Sequence, residues 1–334
     1  MDFDITRDGL SLLSADKSEL EQWMNMALNT RRKIFGRSLL CYSPTGYPHN
    51  IPAHQQESPH AFTSLSVTGT SCALGCEHCK GRLLAGMQDV KTPERLLEKC
   101  RRLKELGARG VLISGGATIE GHVPLLEFGN AIRIVKEELG LNVVVHTGLV
   151  DRETASILKE AHIDAAMLDI IGDEETASTV YRLKNGPDRM KESLEILHET
   201  GIPTAPHVLV GLNYGKIAGE IAALNIISQY HPSAVVIIAL IPARQTPMAK
   251  VEAPSPEIVG RVLTVARLGM PKVPVVLGCA RPLGQHKIES DKYAIMSGAN
   301  GVAYISQEGV DFAKTMNLKP VFSDECCSLV FTMV

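Results

Sequence analysis

Aromatic side chains are scarce in this sequence, 4% of 334 residues with a single tryptophan, so a base-stacking surface for nucleic acid has little to be built from. Clustered cation is missing too. The 34 Lys and Arg against 37 Asp and Glu leave a formal charge of −3, and no Lys/Arg block of the kind that neutralises a phosphate backbone occurs. Together these two absences argue against a nucleic-acid partner. No apolar run approaches the length of a membrane span, and the opening Met-Asp-Phe-Asp-Ile-Thr-Arg-Asp has neither the basic head nor the apolar stretch of a secretion signal. No membrane partner and a cytoplasmic location are therefore expected. In that reducing compartment the eight cysteines read as metal ligands, catalytic thiols or core fillers and not as disulfides.

Apolar content is what the chain has in quantity: 45%, enough for one large barrel or two ordinary domains. Short β-branched runs alternate with longer amphipathic segments, the pattern of parallel strands joined by helical crossovers. Strands are expected over residues 64–70, 110–115, 142–148, 165–171, 204–211, 234–241, 273–278 and 301–305. The segment 93–106 places Leu96, Leu97, Cys100, Leu103 and Leu106 on one face, with Pro93 in the first turn and Gly107 at the stop. Segments 187–200, 214–230, 255–269 and 290–299 repeat the logic. Eight strand–helix units in about 245 residues match a TIM-type (β/α)8 barrel, whose active sites lie at the C-terminal strand ends. A doubly wound open sheet is the alternative architecture.

Nothing before residue 60 reads as a strand. A helix over 17–35 is followed by a Pro/Gly/His-rich stretch containing Cys41, Pro44, Gly46, Pro48 and Pro52. The expected organisation is an N-terminal helix and arm (1–60), the barrel (61–318) and a C-terminal extension with a cysteine pair (319–334), both extensions lying over the barrel mouth.

Three cysteines, Cys72, Cys76 and Cys79, fall in one short turn after the first expected strand, in the run Thr-Ser-Cys-Ala-Leu-Gly-Cys-Glu-His-Cys-Lys. They supply three thiolates to a cubane iron–sulfur cluster but no fourth, which leaves one iron open. The competing reading is a structural zinc site, which pairs such a group with a second knuckle. No second short-spaced pair fits that pattern, and Cys326 and Cys327 are adjacent, poor geometry for two ligands of one small ion. Cys-x3-Cys-x2-Cys after a strand resembles the signature of the radical S-adenosylmethionine (radical SAM) enzymes. The resemblance implies that Cys72, Cys76 and Cys79 bind a catalytic [4Fe-4S] cluster whose open iron is chelated by SAM. One electron then cleaves the sulfonium and releases a 5'-deoxyadenosyl radical. His78 stands where the family favours another aromatic ring and can still stack on adenine.

Further segments resemble the biotin-synthase branch, over residues 62–318. Ile-Ser-Gly-Gly, with Ser114, Gly115 and Gly116, is similar to the family's Gly-Gly segment, which meets the SAM amino group through main chain. Glycine suits such close backbone approach. Asp169 interrupts a hydrophobic strand, where an unpaired carboxylate is costly, and the resemblance places it on the SAM ribose. Arg182 and Lys184 form a basic patch where relatives hold the SAM carboxylate, though both could equally be solvated. Gly211 and Leu212 match the Gly-rich segment against adenine. True biotin synthases hold a second cluster inside the barrel on cysteines and an arginine. The corresponding positions here are Gly115, His146, His207 and Val276, so biotin synthesis itself is not expected.

Of the remaining cysteines, Cys100 lies on an apolar helix stripe and reads as core. Cys41, Cys279, Cys326 and Cys327 are candidate ligands of an auxiliary iron–sulfur cluster, with small hydrophobic roles as the alternative. A sacrificed auxiliary cluster can deliver sulfide to a carbon radical, the logic of lipoyl synthases. The single-chain enzyme's Cys-x4-Cys-x5-Cys motif is absent here. The chain more closely resembles the subunits of the two-component lipoyl synthases of archaea and some bacteria. The function so implied is sulfur insertion into a protein-bound octanoyl chain. Its implied partners are an octanoylated lipoyl-carrier protein or peptide, a second radical SAM subunit and an external electron donor. The alternatives are a single-cluster radical SAM enzyme of another cofactor pathway (methylation or carbon-chain rearrangement) and a non-catalytic iron–sulfur electron carrier.

Overall fold

The structure is a computed structural model that describes residues 3–334, so the first two residues of the expected N-terminal segment lie outside the described residues. Its strands are β1 (Ser38–Tyr42), β2 (Phe62–Ser66), β3 (Gln88–Asp89), β4 (Gly110–Ser114), β5 (Asn142–His146), β6 (Ala165–Met167), β7 (His207–Val210), β8 (Val235–Ala239), β9 (Val275–Leu277), β10 (Gly301–Ala303) and β11 (Lys319–Ser323). Every ladder between them is parallel. One sheet runs β3-β2-β4-β5-β6 and the other β11-β1-β10-β9-β8-β7. Two isolated parallel bridges, Ala166↔Thr204 and Asp169↔His207, join β6 to β7. The strands β2 and β4 to β10 therefore follow one another in chain order around a common interior, with crossover helices outside, as in a TIM-type barrel.

The crossover helices begin where the sequence says they should. Thr92 caps the helix Pro93–Glu105 by accepting the Arg95 N–H, with Pro93 in the first turn, and Cys100 and Leu103 are buried on its inner face. Asp16 and Glu19 form a reciprocal capping box at the start of Lys17–Phe35.

The N-terminal segment was expected to hold no strand, but it supplies β1, which pairs with both β10 and β11. Ser-Leu-Leu-Cys-Tyr has no β-branched residue and no alternation of polar and apolar positions, because both of its faces are buried. Leu40 and Tyr42 point to the interior cluster, Leu39 and Cys41 to the helix-facing one. The C-terminal extension likewise contributes β11, whose Pro320 is tolerated on an edge strand.

The last residues do not cover the mouth. Cys326, Cys327, Leu329 and Val330 pack against Phe62, Val144, Ala165, Ala234 and Val276, which line the N-terminal halves of the strands. Asn142, the first residue of β5, donates to Glu325 Oε1 at 2.8 Å. The tail is thus a plug in the barrel floor, because its apolar side chains find their burial there. Higher up, the inward side chains of Leu112, His146, His207, Leu209 and Ile238 are only half-buried and Cys279 is exposed, so these residues wall an open chamber below the C-terminal rim.

Candidate active site

The three-cysteine loop leaves the top of β2 and is pinned to the end of β4. Val67 N–H donates to Ser114 O at 2.8 Å, Gly116 N–H to Thr68 Oγ1 at 2.6 Å and Ala73 N–H to Ala117 O at 2.9 Å. The close approach requires glycine. A Cβ on Gly116 would overlap the Ser71 carbonyl oxygen and sit 2.6 Å from Cys72 Cα. On the other side, Glu77 N–H donates to Val180 O at 2.8 Å. The Glu77 carboxylate also accepts from Lys80 Nζ and Arg182 Nη2, both at 2.7 Å. Lys80 first and Arg182 second hold that carboxyl below its usual range.

The ligating atoms of Cys76, His78 and Cys79 lie within 4.8 Å of one another, with Cys72 on the same loop but outside that group. A sulfur–sulfur hydrogen bond raises the Cys76 thiol and, with burial opposing and His78 assisting, lowers Cys79 to about 4. A thiolate on Cys79 is the protonation state that metal ligation needs. His78 stacks on Tyr181 with ring centroids 5.2 Å apart, and its Nδ1 is buried without a partner. Three loop thiols, an unpartnered ring nitrogen and a glycine cradle fit an iron–sulfur cluster with one open position.

Below the loop, Tyr181 Oη donates to Asp169 Oδ2 at 2.7 Å and His146 Nε2 lies 3.6 Å from Asp169 Oδ1. Burial pushes the Asp169 carboxyl up, but His146, His207 and Tyr181 together outweigh it and hold it far below the usual range. His207 is its bridge partner and is lowered to about 4, by burial first and by His146 second.

The expected cofactor residues divide in two. Ser114, Gly115 and Gly116 stand directly behind the cysteine loop, Ser114 Oγ donating to His146 O at 3.0 Å. Asp169 faces the chamber, while Leu212 borders a small, mostly apolar cleft with Ile170, Leu209 and Asn213, and Gly211 lies in the turn next to it. Gly211 adopts φ +77°, and a Cβ there would meet Pro254 Cγ at 2.8 Å. Arg182 and Lys184, in contrast, are exposed, and Arg182 is engaged by Glu77.

One residue was missed at the sequence level. Glu220, buried at the floor of that cleft, accepts the Gly211 N–H at 2.7 Å and the Ala218 N–H at 2.9 Å, fixing the turn after β7. Its signal was there to read, since it is the one carboxylate in the apolar run Glu-Ile-Ala-Ala-Leu-Asn-Ile-Ile.

The four auxiliary-cluster candidates are not brought together. Cys41 is a correction: it points from β1 toward the helix layer, where burial raises it to about 12. Cys326 and Cys327 lie in the interior cluster, and their mutual hydrogen bond lowers the first and raises the second. Cys279 opens on the chamber from the end of β9. Among the described residues, the catalytic loop is the one place where three such ligand atoms lie within 4.8 Å of one another.

No helix among the described residues is long and apolar enough to cross a membrane. The pattern of the Radical SAM superfamily matches residues 66–218. The chain is 30% identical over 255 residues to the biotin synthase of Haemophilus ducreyi, covering 72% of this chain and 73% of that one. It is 28% identical over 246 residues to the biotin synthase of Paramagnetospirillum magneticum, covering 71% and 73%. The crystal structure of methylornithine synthase superposes with a TM-score of 0.67 at 21% identity over 96% of this chain and 95% of that chain, which shows the shared fold. With its cysteine loop, glycine cradle and parallel barrel architecture, the chain belongs to the radical SAM superfamily, in its biotin-synthase-like branch.

Proposed function

We propose that this radical SAM enzyme inserts sulfur at unactivated C–H carbons of an octanoyl chain carried by a lipoyl domain, as one subunit of a two-component lipoyl synthase. The observation that carries the reading is the interior thiol set: Cys279 opens on the chamber beneath the catalytic loop, and Cys326 and Cys327 are turned into the same barrel interior from the floor. Those three would hold a second, sulfide-donating cluster. The biotin synthases to which the chain is similar insert sulfur, and His146 and His207 at their cluster-ligand positions leave room for a differently held sulfur source.

When bound, the loop cluster supplies the electron that cleaves SAM. The protein's own share is placement. Cys72, Cys76 and Cys79 would hold the cluster, Gly115 and Gly116 would present main chain to the methionyl end, and Asp169 would meet the ribose. Glu220 holds the Gly211 turn in shape for adenine. The apolar walls Leu112, Leu209 and Ile238 suit a saturated acyl chain and exclude water from the radical.

A second reading is favoured by the orientation of Cys41 and the unassembled interior trio: a single-cluster enzyme of another cofactor pathway. Anaerobic reconstitution separates the two, with about eight irons per chain expected for sulfur insertion and about four for the rival. Incubation with SAM, reductant and an octanoyl-lysyl peptide, with and without a partner subunit, should add sulfur mass to the peptide. Deoxyadenosine without peptide change would sink the proposal, and no deoxyadenosine at all would leave a non-catalytic electron carrier.

A further inference from the structure

The loops after β7, β8 and β9 make one continuous sector of the barrel rim. Gly215 in the first lies against Val251 and Glu252 in the second. The His286 ring bonds Pro254 O at 2.8 Å and ties the second loop to the helix Gln285–Met296, which follows the third. Arg82, in the short helix Arg82–Gly86 after the cysteine loop, donates Nη1 to Gln245 Oε1 at 2.7 Å. In the strand order β2 and β8 are separated by β4, β5, β6 and β7, so this bond reaches across the chamber mouth.

That sector, together with the Arg82–Gly86 helix that meets it across the mouth, exposes side chains that a soluble surface normally hides. Leu283 is 71% exposed, Leu83 70%, Ile241 45% and Tyr214 41%. Arg82, Lys216, Arg244 and Lys250 are exposed among them. Across residues 82–86, 211–219, 240–255 and 278–287, Glu252 is the sole carboxylate, although the whole chain carries a net charge of −3. Cation is therefore concentrated where apolar residues are bare. Tyr214, Arg82 and Arg244 are of the residue types that protein interfaces favour, and the bare leucines add the exposed apolar area that marks a partner surface. They gain nothing from a phosphate backbone, for which four cations are few. An occupant seated here that did not deliver substrate would block the mouth.

We infer that this sector docks the acidic face of the protein domain that carries the acyl chain, aligning its acylated lysine arm with the chamber past the Arg82–Gln245 contact. The inference rests on the protein-bound substrate proposed above and names the surface that recognises the carrier. Leu83, Ile241 and Leu283 supply the apolar contact, and Arg244, Lys216 and Lys250 steer the approach of an acidic partner.

The test compares two probes, an octanoylated acidic lipoyl domain and an octanoyl-lysyl peptide, on the reconstituted enzyme. Calorimetric titration at low and moderate salt should show domain binding that weakens with salt. The variant Arg244→Glu with Lys250→Glu, and separately Leu283→Asp, should each weaken domain binding about tenfold, a typical size for rim charges and apolar anchors. Turnover of the peptide should be unchanged in both. Domain affinity equal to wild type in both variants overturns the inference, and so does a parallel loss of peptide turnover, which would make the sector part of the chamber. Domain binding that behaves as stated while neither probe gains sulfur supports the docking surface and refutes the sulfur-insertion reading.

Discussion

Gly116 meets the cysteine loop with no room to spare, and the atoms it meets are main chain, which cannot swing aside as a side-chain tip can. Gly116→Ala must therefore displace the Ser71–Cys72 peptide, and with it the first thiol of the trio. Overpacking of this kind costs about 1–3 kcal/mol. The larger effect falls on the site: iron bound on anaerobic reconstitution should drop to less than about half of the roughly four expected for a catalytic cluster. Gly86→Ala, whose Cβ would meet nothing within 4 Å, is the matched control and should load normally. Equal iron in both variants would remove Gly116 from the cradle. At this scale the sequence is readable where spacing alone encodes chemistry, as in Cys72, Cys76 and Cys79. It is mute where a role depends on a distant neighbour. Nothing local says that Arg182 will be drawn to Glu77, 105 residues away, or that Glu220 will reach back to the Gly211 N–H.

The same contrast governs the elements. Val-Leu-Ile-Ser and Asn-Val-Val-Val-His become β4 and β5 because β-branched runs between helices have few other uses in an α/β chain. β1 escapes that logic, since its leucines suit a helix equally well and only pairing with β10 and β11, some 260 to 280 residues later, makes it a strand. The tail was misplaced for a related reason: a cysteine pair suggests a cluster at the mouth, whereas the apolar Leu329 and Val330 beside it are drawn to the open floor. Burial therefore predicts a structural role for this element. Leu329→Ala should lower the free energy of unfolding by about 2–4 kcal/mol, the range for a buried leucine left facing a cavity. Met333→Ala, at an exposed position four residues on, should change it by less than about 0.5 kcal/mol. Urea titration of both variants checks this, and a silent Leu329→Ala would mean that the plug does not hold the floor.

On the scale of the whole molecule the acid-sensitive line is the join between the two sheets, because titratable side chains gather there. Four backbone hydrogen bonds tie β6 to β7 there, Ala166 N–H to Pro203 O, Ala205 N–H to Ala166 O and Ile170 N–H to His207 O at 2.9 Å and His207 N–H to Leu168 O at 2.8 Å. Beside that join sit His146, Asp169 and His207. His207 is held at about 4, against an ordinary histidine near 6.5, because burial and then the His146 ring disfavour its charge. Between those two values the unfolded chain binds a proton that the folded chain refuses, so stability is full above about pH 6.5 and falls as pH drops toward 4. Asp169 works in the same direction at lower pH: its carboxylate is favoured in the fold, and that contribution disappears as acid protonates it. At pH 5 the His207 effect alone amounts to about 2 kcal/mol at most, from 1.36 kcal/mol per pKa unit. The urea midpoint of cluster-free protein should accordingly fall between pH 7.5 and 5, and His207→Gln should flatten that fall. Because the charge lands on the join, opening should start there. Hydrogen exchange at pH 5, corrected for intrinsic rates, should deprotect residues 165–170 and 204–210 before β4 and β8. Uniform loss of protection across all four would show that the two half-barrels part as one cooperative unit, with no special weakness where the histidines stand.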